Sequence, residues 1–368
     1  MTTRTTPPPA SGPVHGLPPA GPTAAAAASA ASRAARWAAG RSELLTRLLD
    51  KVSATPALDA VAGPVRDAVR GLPLGPAARD ALRGTWLGHP LHPALVQVPI
   101  GAWTSAGLVD LLPHRGRTAS LLIAVGLAGA VPAVAAGWLD WSDQRPEQQR
   151  VGLVHAASNT TAVLLYACSL RHRLRGHGLR GRVLAFAGLG AAGLGGAIGG
   201  HLSYRLAAGA NQTAAAPHLV EPGWHRLARW EELPVGRAVR HTVGEVPVLV
   251  VRHGGDAPVA ADGSAPDGAA PVSVLADRCS HLSGPLSEGT LGRCEEAEDG
   301  EDGGAGENGA GGEGGAECVT CPWHGSTFRL TDGAVVRGPA TAPQPVFETR
   351  LSEGWLLVRA PEGATTGP

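Results

Sequence analysis

Two short stretches, Cys279-Ser280-His281 and Cys321-Pro322-Trp323-His324, decide how the C-terminal part of this chain folds. Each stretch places a thiol and an imidazole two or three residues apart, so that both side chains can reach one metal centre from one tight loop. Two such loops supply two cysteines and two histidines. The pattern therefore predicts a metal centre between two loops, with Cys279, His281, Cys321 and His324 as its ligands.

The residues around both loops carry a family resemblance. They read CSHLSGPLSEG at 279–289, CVTCPWHGSTF at 318–328 and RGPATAPQP at 337–345. This region resembles the Rieske domain family, in which two cysteines bind one iron of a [2Fe–2S] cluster and two histidines bind the other. The resemblance implies a small all-β iron–sulfur domain over residues 224–360, with one cluster per chain.

Zinc is the alternative metal, because two cysteines and two histidines also form tetrahedral zinc sites. A zinc finger carries its two histidines on a helix, whereas each histidine here lies beside a cysteine in a loop rich in glycine and proline. The sequence therefore favours iron–sulfur chemistry. Structural thiols with unrelated histidines are favoured least, because chance rarely pairs these residues twice.

The loops also differ from those of respiratory quinol-oxidising complexes, whose Rieske domains have an additional cysteine in each loop. Those cysteines form a disulfide, but the corresponding residues here are Gly284 and Trp323. A serine and a tyrosine that donate hydrogen bonds toward the cluster and its ligand correspond to Ser326 and Phe328. Fewer donors stabilise the reduced cluster less, so we expect a low, ferredoxin-like potential as in ring-hydroxylating oxygenase systems.

Four apolar segments precede this domain, at about residues 94–112, 119–139, 151–170 and 183–206. Each approaches or exceeds the roughly 20 residues that a bilayer-spanning helix needs. The segments are apolar around the whole helix, which argues against a soluble bundle. We therefore predict a multidomain chain, with an all-α transmembrane four-helix bundle at residues 86–206 followed by the small all-β domain.

The predicted bundle carries a resemblance of its own. It contains GTWLGHPLHPALVQVPIGAWTSAGLVDLL at 84–112, GWLDW at 137–141 and GGHLSY at 199–204. Over roughly residues 80–206 the chain resembles a bacterial membrane domain family known only as domain of unknown function 2231. This resemblance supports the topology and implies nothing about the chemistry.

Polar residues gather at one face of the predicted bundle, which is the face from which the β domain emerges after Leu206. They are His89, His92, Asp140, His155, Asn159 and His201. Polar groups at membrane depth are costly, so such a cluster is a functional-site hypothesis. It could ligate a haem through His155 and His201 or bind a quinone head group. Histidines that only cap helix ends at the membrane surface are the alternative.

The remaining segments are predicted to be a disordered arm of Pro and Ala (1–40), amphipathic helices (41–85), a linker (207–223) and a tail (361–368). An insertion at residues 295–317 carries nine acidic and no basic residues and is expected to be disordered. Cys294 and Cys318 bracket it, and reduced thiols are expected there rather than a disulfide.

The predicted function is that of a membrane-anchored protein that carries single electrons to or from a redox partner protein or a quinone. An iron–sulfur redox sensor, or an accessory subunit of a membrane oxidoreductase complex, is the alternative. A catalytic oxygenase subunit is disfavoured, because its mononuclear iron site would need a large domain after the Rieske domain and only 44 residues follow His324. No self-contained catalytic site is identified, and the zero net charge indicates no nucleic-acid partner.

The predicted location is the bacterial cytoplasmic membrane, with lipid around the spans. Loops on the face away from the β domain carry seven arginines and the flanks on its own face carry five, which weakly favours a cytoplasmic far face. Against this, the N-terminal arm shows no export signal. We therefore expect the Rieske domain on the cytoplasmic side.

Overall fold

The computed structural model describes residues 43–254, 271–294 and 316–361. The predicted arm at 1–40, most of the acidic insertion and nearly all of the predicted tail lie outside these residues. The chain divides into two units, residues 1–51 and residues 52–368. In the first unit, residues 43–51 are helical. The second unit contains the helices and strands described below.

Two short helices, α1 (Asp59–Arg70) and α2 (Pro76–Arg83), precede the bundle. Pro76 starts α2, where a missing N–H costs no hydrogen bond. Gly84 ends α2 with a φ of 83°, a left-handed conformation that favours glycine. A Cβ on Gly84 would lie only 2.5 Å from the carbonyl oxygen of His89, so the close approach of the following turn also requires glycine.

The bundle is built from helix α4 and three longer helices, with a one-turn helix, α3, leading into α4. Their bounds are α3 His92–Leu95, α4 Gln97–Asp110, α5 Gly116–Ser142, α6 Pro146–Leu174 and α7 Gly178–Gly200. Helix α7 continues as a π-helical turn, His201–Arg205. Helix α4 packs on α5, α5 on α6, α6 on α7 and α7 on α4, so the bundle closes as a ring.

Small residues let large aromatic rings lie between these helices. The rings of Trp103 and Tyr166 stack with centroids 4.3 Å apart. A Cβ on Gly126 would lie 2.2 Å from the Trp103 indole nitrogen, and one on Gly188 would lie 3.0 Å from the Tyr166 ring. Glycine therefore creates the space that each ring fills, which is the packing expected of membrane helices.

Among the residues that the structure describes, three helices are long and apolar enough to cross a membrane: Gly116–Ser142, Pro146–Leu174 and Gly178–Arg205. The first predicted span forms the shorter α4, whose 14 residues extend about 21 Å against a hydrocarbon core of about 30 Å. Pro93 and Pro99 lie in the first turns of α3 and α4, the position where a helix tolerates proline. The segment is therefore two short helices instead of one long one.

A buried ion pair ties the first helix of the bundle to the third, at the end away from the β domain. The Arg173 guanidinium donates one hydrogen bond of 2.9 Å and a second, shorter one to the Asp110 carboxylate. The two side chains are 6% and 1% exposed. Removing only one partner of such a bidentate pair lowers the stability of the fold strongly, because the charge of the other partner stays buried.

The C-terminal part of the described chain is a small antiparallel β domain. Within the described residues its strands form three sheets, ordered β1-β10-β9, β2-β3-β4 and β5-β6-β7-β8. The strands are β1 His225–Arg229, β2 Ala238–Val243, β3 Val246–Arg252, β4 Val272–Ala276, β5 Thr290–Arg293, β6 Glu317–Thr320, β7 Thr327–Arg329, β8 Val335–Arg337, β9 Glu348–Ser352 and β10 Trp355–Arg359. This multidomain arrangement confirms the predicted fold class.

One apolar cluster of the β domain lies directly behind the two cysteine–histidine loops. It contains Cys279, Cys321, Leu286 and Phe328, each no more than 3% exposed. A second cluster fills the space between the sheets of β2–β4 and of β1, β9 and β10. The loops are thus anchored through their cysteines on a packed core.

Cys294 and Cys318 form a disulfide, contrary to the expectation of reduced thiols. The reason is the pairing of β5 with β6, which flank the acidic insertion and place Gly292 opposite Cys318. This register brings the Cα atoms of Cys294 and Cys318 to 5.2 Å, within the range that a disulfide needs. A register of this kind could not be assigned from spacing alone.

Candidate metal centre

The two cysteine–histidine loops have the same backbone hydrogen bonds. In the first loop Cys279 N–H donates to Gly284 O and Ser283 N–H donates to Cys279 O, both at 2.8 Å. In the second, Cys321 N–H donates to Ser326 O at 2.8 Å and Gly325 N–H donates to Cys321 O at 3.1 Å. Each loop therefore closes over six residues, with its cysteine at the start and its histidine within the turn.

The stretch 337–345 braces both loops. The backbone N–H of Ala340 donates to Ser326 Oγ at 2.9 Å, and Ser280 Oγ donates to Ala342 O at 2.7 Å. Gln344 Nε2 donates to Arg278 O, just before the first loop, at 3.0 Å. These bonds hold two loops that are 39 residues apart in the sequence at one tip of the domain.

The sulfur atoms of Cys279 and Cys321 are hydrogen-bonded to each other. This bond, together with the backbone N–H groups of Trp323 and His324, lowers the pKa of Cys321 to about 6. The same bond, together with burial, raises the pKa of Cys279 far above its usual range. The geometry thus stabilises a thiolate at Cys321 and brings both sulfurs within reach of one metal atom.

The imidazoles of His281 and His324 form the other pair. Their ring centroids are 5.1 Å apart and the rings are nearly perpendicular, at 87°. Burial, together with a smaller contribution from the neighbouring His324, lowers the pKa of His281 to about 4. Burial also lowers the pKa of His324. Both rings are therefore held neutral, which is the form that binds metal.

The four side chains fit a [2Fe–2S] cluster because they are grouped two and two. Among the described residues, no three His, Cys, Asp or Glu side chains group as they would around a single metal ion. A cluster with mixed ligands instead needs two sulfurs on one iron and two imidazoles on the other. A Cβ on Gly284 would lie 2.9 Å from Cys321 Sγ, so glycine leaves the space between the loops open.

The imidazole edge of this tip faces the helical part of the molecule. A cleft of about 300 Å³ lies between helix α2 and the β domain. Its lining residues are Leu74, Pro76, Arg79, Asp80, Arg83, His324, Gly325, Arg337 and Gly338. One candidate ligand of the cluster, His324, is therefore part of a cleft that carries three arginines.

Direct contacts hold the tip against the helices. Gly338 N–H donates to Asp80 Oδ1 at 3.0 Å, and the Arg145 guanidinium donates to Leu282 O at 3.4 Å. A Cβ on Gly338 would lie 3.1 Å from both Asp80 Oδ1 and Thr85 Cγ2. Any larger residue at position 338 would therefore require these neighbours in the helical part to shift by a few tenths of an ångström.

A buried carboxylate lies next to the imidazole pair. Asp143, which follows α5, accepts hydrogen bonds from Arg83 at 2.6 Å and from Arg70 at 3.3 Å. The negative charge of Asp143 raises the pKa of both His281 and His324, whereas the positive charge of Arg83 lowers both. The helical part thus contributes opposite charges that act on the two candidate ligand imidazoles.

The structure brings together only part of the predicted membrane histidine cluster. His155 lies beside His92, with ring centroids 6.2 Å apart, and Asn159 contacts His155. His89 is exposed and contacts the adjacent Pro90 O. His155 is therefore paired with His92, a residue of a different helix.

Sequence reasoning missed Asp80, Arg83 and Asp143. In the sequence, only the charge of these residues pointed to a role. Arg83 contacts Asp143, which is 60 residues away, and Asp80 contacts Gly338, which is 258 residues away. Pairings over such separations depend on how α2 packs on the bundle and on the β domain. They become visible only in the folded chain.

Two family models match the chain. One, described as "Predicted membrane protein (DUF2231)", matches residues 88–212. The other, described as "Rieske [2Fe-2S] domain", matches residues 304–348. The second match includes Cys321 and His324, while Cys279 and His281 lie before it. Together the two matches confirm the resemblances drawn from the motifs.

Proteins similar to this chain include ferredoxins. Ferredoxin CarAc of Metapseudomonas resinovorans is 31% identical over 100 residues, which make up 25% of this chain and 72% of the ferredoxin. The solved ferredoxin of carbazole 1,9a-dioxygenase from Nocardioides aromaticivorans is 20% identical and covers 38% of this chain and 98% of its own, with a TM-score of 0.26. The Sphingomonas yanoikuyae B1 ferredoxin is 18% identical over 38% of this chain and 100% of its own, with a TM-score of 0.24.

Proposed function

Because this chain belongs to the Rieske [2Fe–2S] ferredoxin family, fused to a DUF2231 membrane domain, we propose that its cluster is held by Cys279, Cys321, His281 and His324. The cysteines would bind one iron and the histidines the other. The family supports an electron-transfer role in a membrane protein. The observation that carries the ligand assignment is the pairing of sulfur with sulfur and of imidazole with imidazole at one tip.

When bound, a [2Fe–2S] cluster supplies one-electron redox chemistry. The residues of this chain prepare the site for it. Backbone N–H groups of the two loops point at the sulfurs, burial keeps the imidazoles neutral, and the bracing stretch 337–345 prevents the loops from separating. The iron–sulfur domain is proposed to extend over residues 224–360, after the bundle at 86–206 and the linker at 207–223.

We further propose that the electron partner binds in the cleft beside His324. A cleft of about 300 Å³ lies at the lower end of the range for small-molecule sites. Arg83 Nε is buried there and has no hydrogen-bond partner among the described residues. A quinone ring would bring carbonyl oxygens to such donors and its edge to the imidazole. A protein partner remains the other candidate.

A redox sensor is the alternative function, and one observation favours it. The tip touches α2 and the bundle through Gly338, Leu282 and charges near both imidazoles. A change in cluster charge would therefore act directly on Arg83 and Asp143. Electron transfer to a quinone gives turnover, whereas a sensor shows a redox-linked change in these contacts without turnover.

The test of the cluster is low-temperature EPR of the detergent-purified full chain after reduction with dithionite. We expect a rhombic signal with a low average g value, together with two irons per chain. Addition of a soluble quinone should then reoxidise the cluster. A colourless, EPR-silent protein that contains zinc and no iron would overturn the cluster assignment. A normal signal without reoxidation by quinone would overturn only the choice of partner.

We also propose that the β domain lies on the outer side of the membrane. The disulfide between Cys294 and Cys318 favours an oxidising compartment, and the larger number of arginines on the far face favours a cytoplasmic far face. Both observations support a β domain on the outer side, opposite to the cytoplasmic side expected from the sequence. Protease added to intact cells should then cleave the β domain; cleavage only in inverted vesicles would support the cytoplasmic side.

A further inference from the structure

His92 and His155 meet inside the helical bundle although they come from different helices. His92 starts α3, and His155 lies in the third turn of α6. His92 Nδ1 lies 2.8 Å from Ala133 O, and His155 Nδ1 lies 2.9 Å from Gly195 O. A carbonyl oxygen can only accept, so both Nδ1 atoms carry the proton and both Nε2 atoms carry a lone pair.

This arrangement is the one that metal-ligating histidines use. A bound histidine donates its second ring N–H to a carboxylate or backbone carbonyl, which sets the tautomer and the ring orientation. Here the support comes from two separate helices, α5 through Ala133 and α7 through Gly195. Two imidazoles whose centroids are 6.2 Å apart are near enough to share one metal ion.

Glycines make the space for these side chains. A Cβ on Gly137 would lie 2.7 Å from His92 Nδ1, and one on Gly199 would lie 3.1 Å from His155 Cε1. A Cβ on Gly195 would lie 2.5 Å from the Asn159 side-chain oxygen. Helices α5 and α7 thus lack side chains where α3 and α6 insert polar ones. Burying polar side chains at membrane depth costs free energy. The space that these glycines leave for them therefore indicates that the polar side chains have a function.

The contact with Asn159 leaves the lone pair of His155 available. The Asn159 amide nitrogen is 3.2 Å from His155 Nε2 and 3.4 Å from its Nδ1. A position nearly equidistant from both ring nitrogens lies over the ring face and not along the Nε2 lone pair. The same amide donates to the His155 backbone oxygen at 2.9 Å, which accounts for its placement.

We propose that His92 and His155 form a second metal site, separate from the iron–sulfur cluster, which binds one borderline transition-metal ion through the two Nε2 atoms. Imidazole suits zinc, copper, iron and nickel. Water or a small ligand completes the coordination shell. The site does not depend on the proposed electron-transfer function, since neither residue belongs to the candidate cluster ligands.

The experiment uses tag-free full chain in detergent, dialysed first against Zn²⁺ and then against metal-free buffer. Zinc and iron per chain are measured by mass spectrometry, and the cluster is followed by EPR. We expect one retained zinc in the wild type, in addition to the cluster iron. His92→Gln and His155→Gln should each lose it because glutamine lacks the imidazole lone pair. The iron content and EPR signal should be unchanged, because neither residue is a candidate ligand of the cluster.

The control is a second histidine pair at the opposite end of the bundle. His172 and His177 have ring centroids 5.9 Å apart, but His172 Nδ1 is buried without a hydrogen-bond partner among the described residues, so His172→Gln should retain the zinc. Gly199→Ala, which keeps both histidines and crowds His155, should weaken zinc binding by about tenfold. Equal zinc in all variants, loss only in His172→Gln, or no retained zinc in the wild type overturns the proposal.

Discussion

Two of the histidine pairs of this molecule are assembled in different ways. His281 and His324 each lie two or three residues from a cysteine, in loops with the same backbone hydrogen bonds. His92 and His155 come from two helices, and carbonyls of two further helices orient them. The β domain thus builds its site from sequence neighbours, whereas the bundle builds polar contacts from distant residues. The first kind of site is visible as a motif, and the second depends on packing.

The largest effect should follow from breaking the local motif. Cys321→Ser replaces a buried thiolate whose pKa the loop lowers, and a hydroxyl is a far weaker ligand for iron. We expect complete loss of the rhombic EPR signal, while the metal of the His92–His155 pair is unaffected. Cys168→Ser is the control, because Cys168 is an exposed free thiol in α6. A full signal in Cys321→Ser would contradict the ligand assignment.

The distant contacts of the bundle should be almost as sensitive. Asp110→Asn leaves Arg173 buried without a counter-ion, which should lower the free energy of unfolding by about 3–5 kcal/mol. Denaturant titration of the detergent-solubilised chain measures the loss. Replacing both partners, Asp110→Leu with Arg173→Met, should restore most of it, since no charge is then left unpaired. A double variant as unstable as the single one would argue against the ion pair as the cause.

A smaller effect, on the reduction potential, is expected from adding a hydrogen-bond donor within the β domain. Phe328 is fully buried in the cluster of residues behind the ligand loops. Phe328→Tyr adds a donor there, and one hydrogen bond of about 1 kcal/mol to the reduced state would raise the one-electron potential by roughly 40 mV. Phe347→Tyr is the matched control, because Phe347 lies in the other apolar cluster. Equal shifts in both variants would mean that the effect is not local to the loops.

The smallest effect is expected where the two regions meet. Burial raises the pKa of Asp80, against the opposing effects of Gly338 N–H, Arg83 and Arg337. The folded state then holds the proton to higher pH than the unfolded state, so stability falls as pH rises from the ordinary carboxyl pKa through the raised one. Asp80→Asn should remove this dependence in unfolding titrations at different pH. Asp67→Asn, at an exposed site, should leave it unchanged.

Much of the molecule could be predicted from local signals. The motifs around Cys279 and Cys321 predicted the iron–sulfur domain. The apolar segments predicted the helices Gly116–Ser142, Pro146–Leu174 and Gly178–Arg205. The first span was predicted too long, because prolines near its start divide it into two helices. The disulfide between Cys294 and Cys318 was missed, because it depends on the register of β5 and β6.

The sequence alone was enough to predict the all-β and all-α classes of the two parts and the presence of membrane-length helices, and to propose a ligand set. These follow from short-range spacing and from hydropathy, which act within a few residues. Three contacts could be found only in the folded chain. They join His155 to His92, Asp143 to Arg83, and Gly338 to Asp80. Those contacts join residues 60 or more positions apart, and their distances are set by how the helices and the β domain pack.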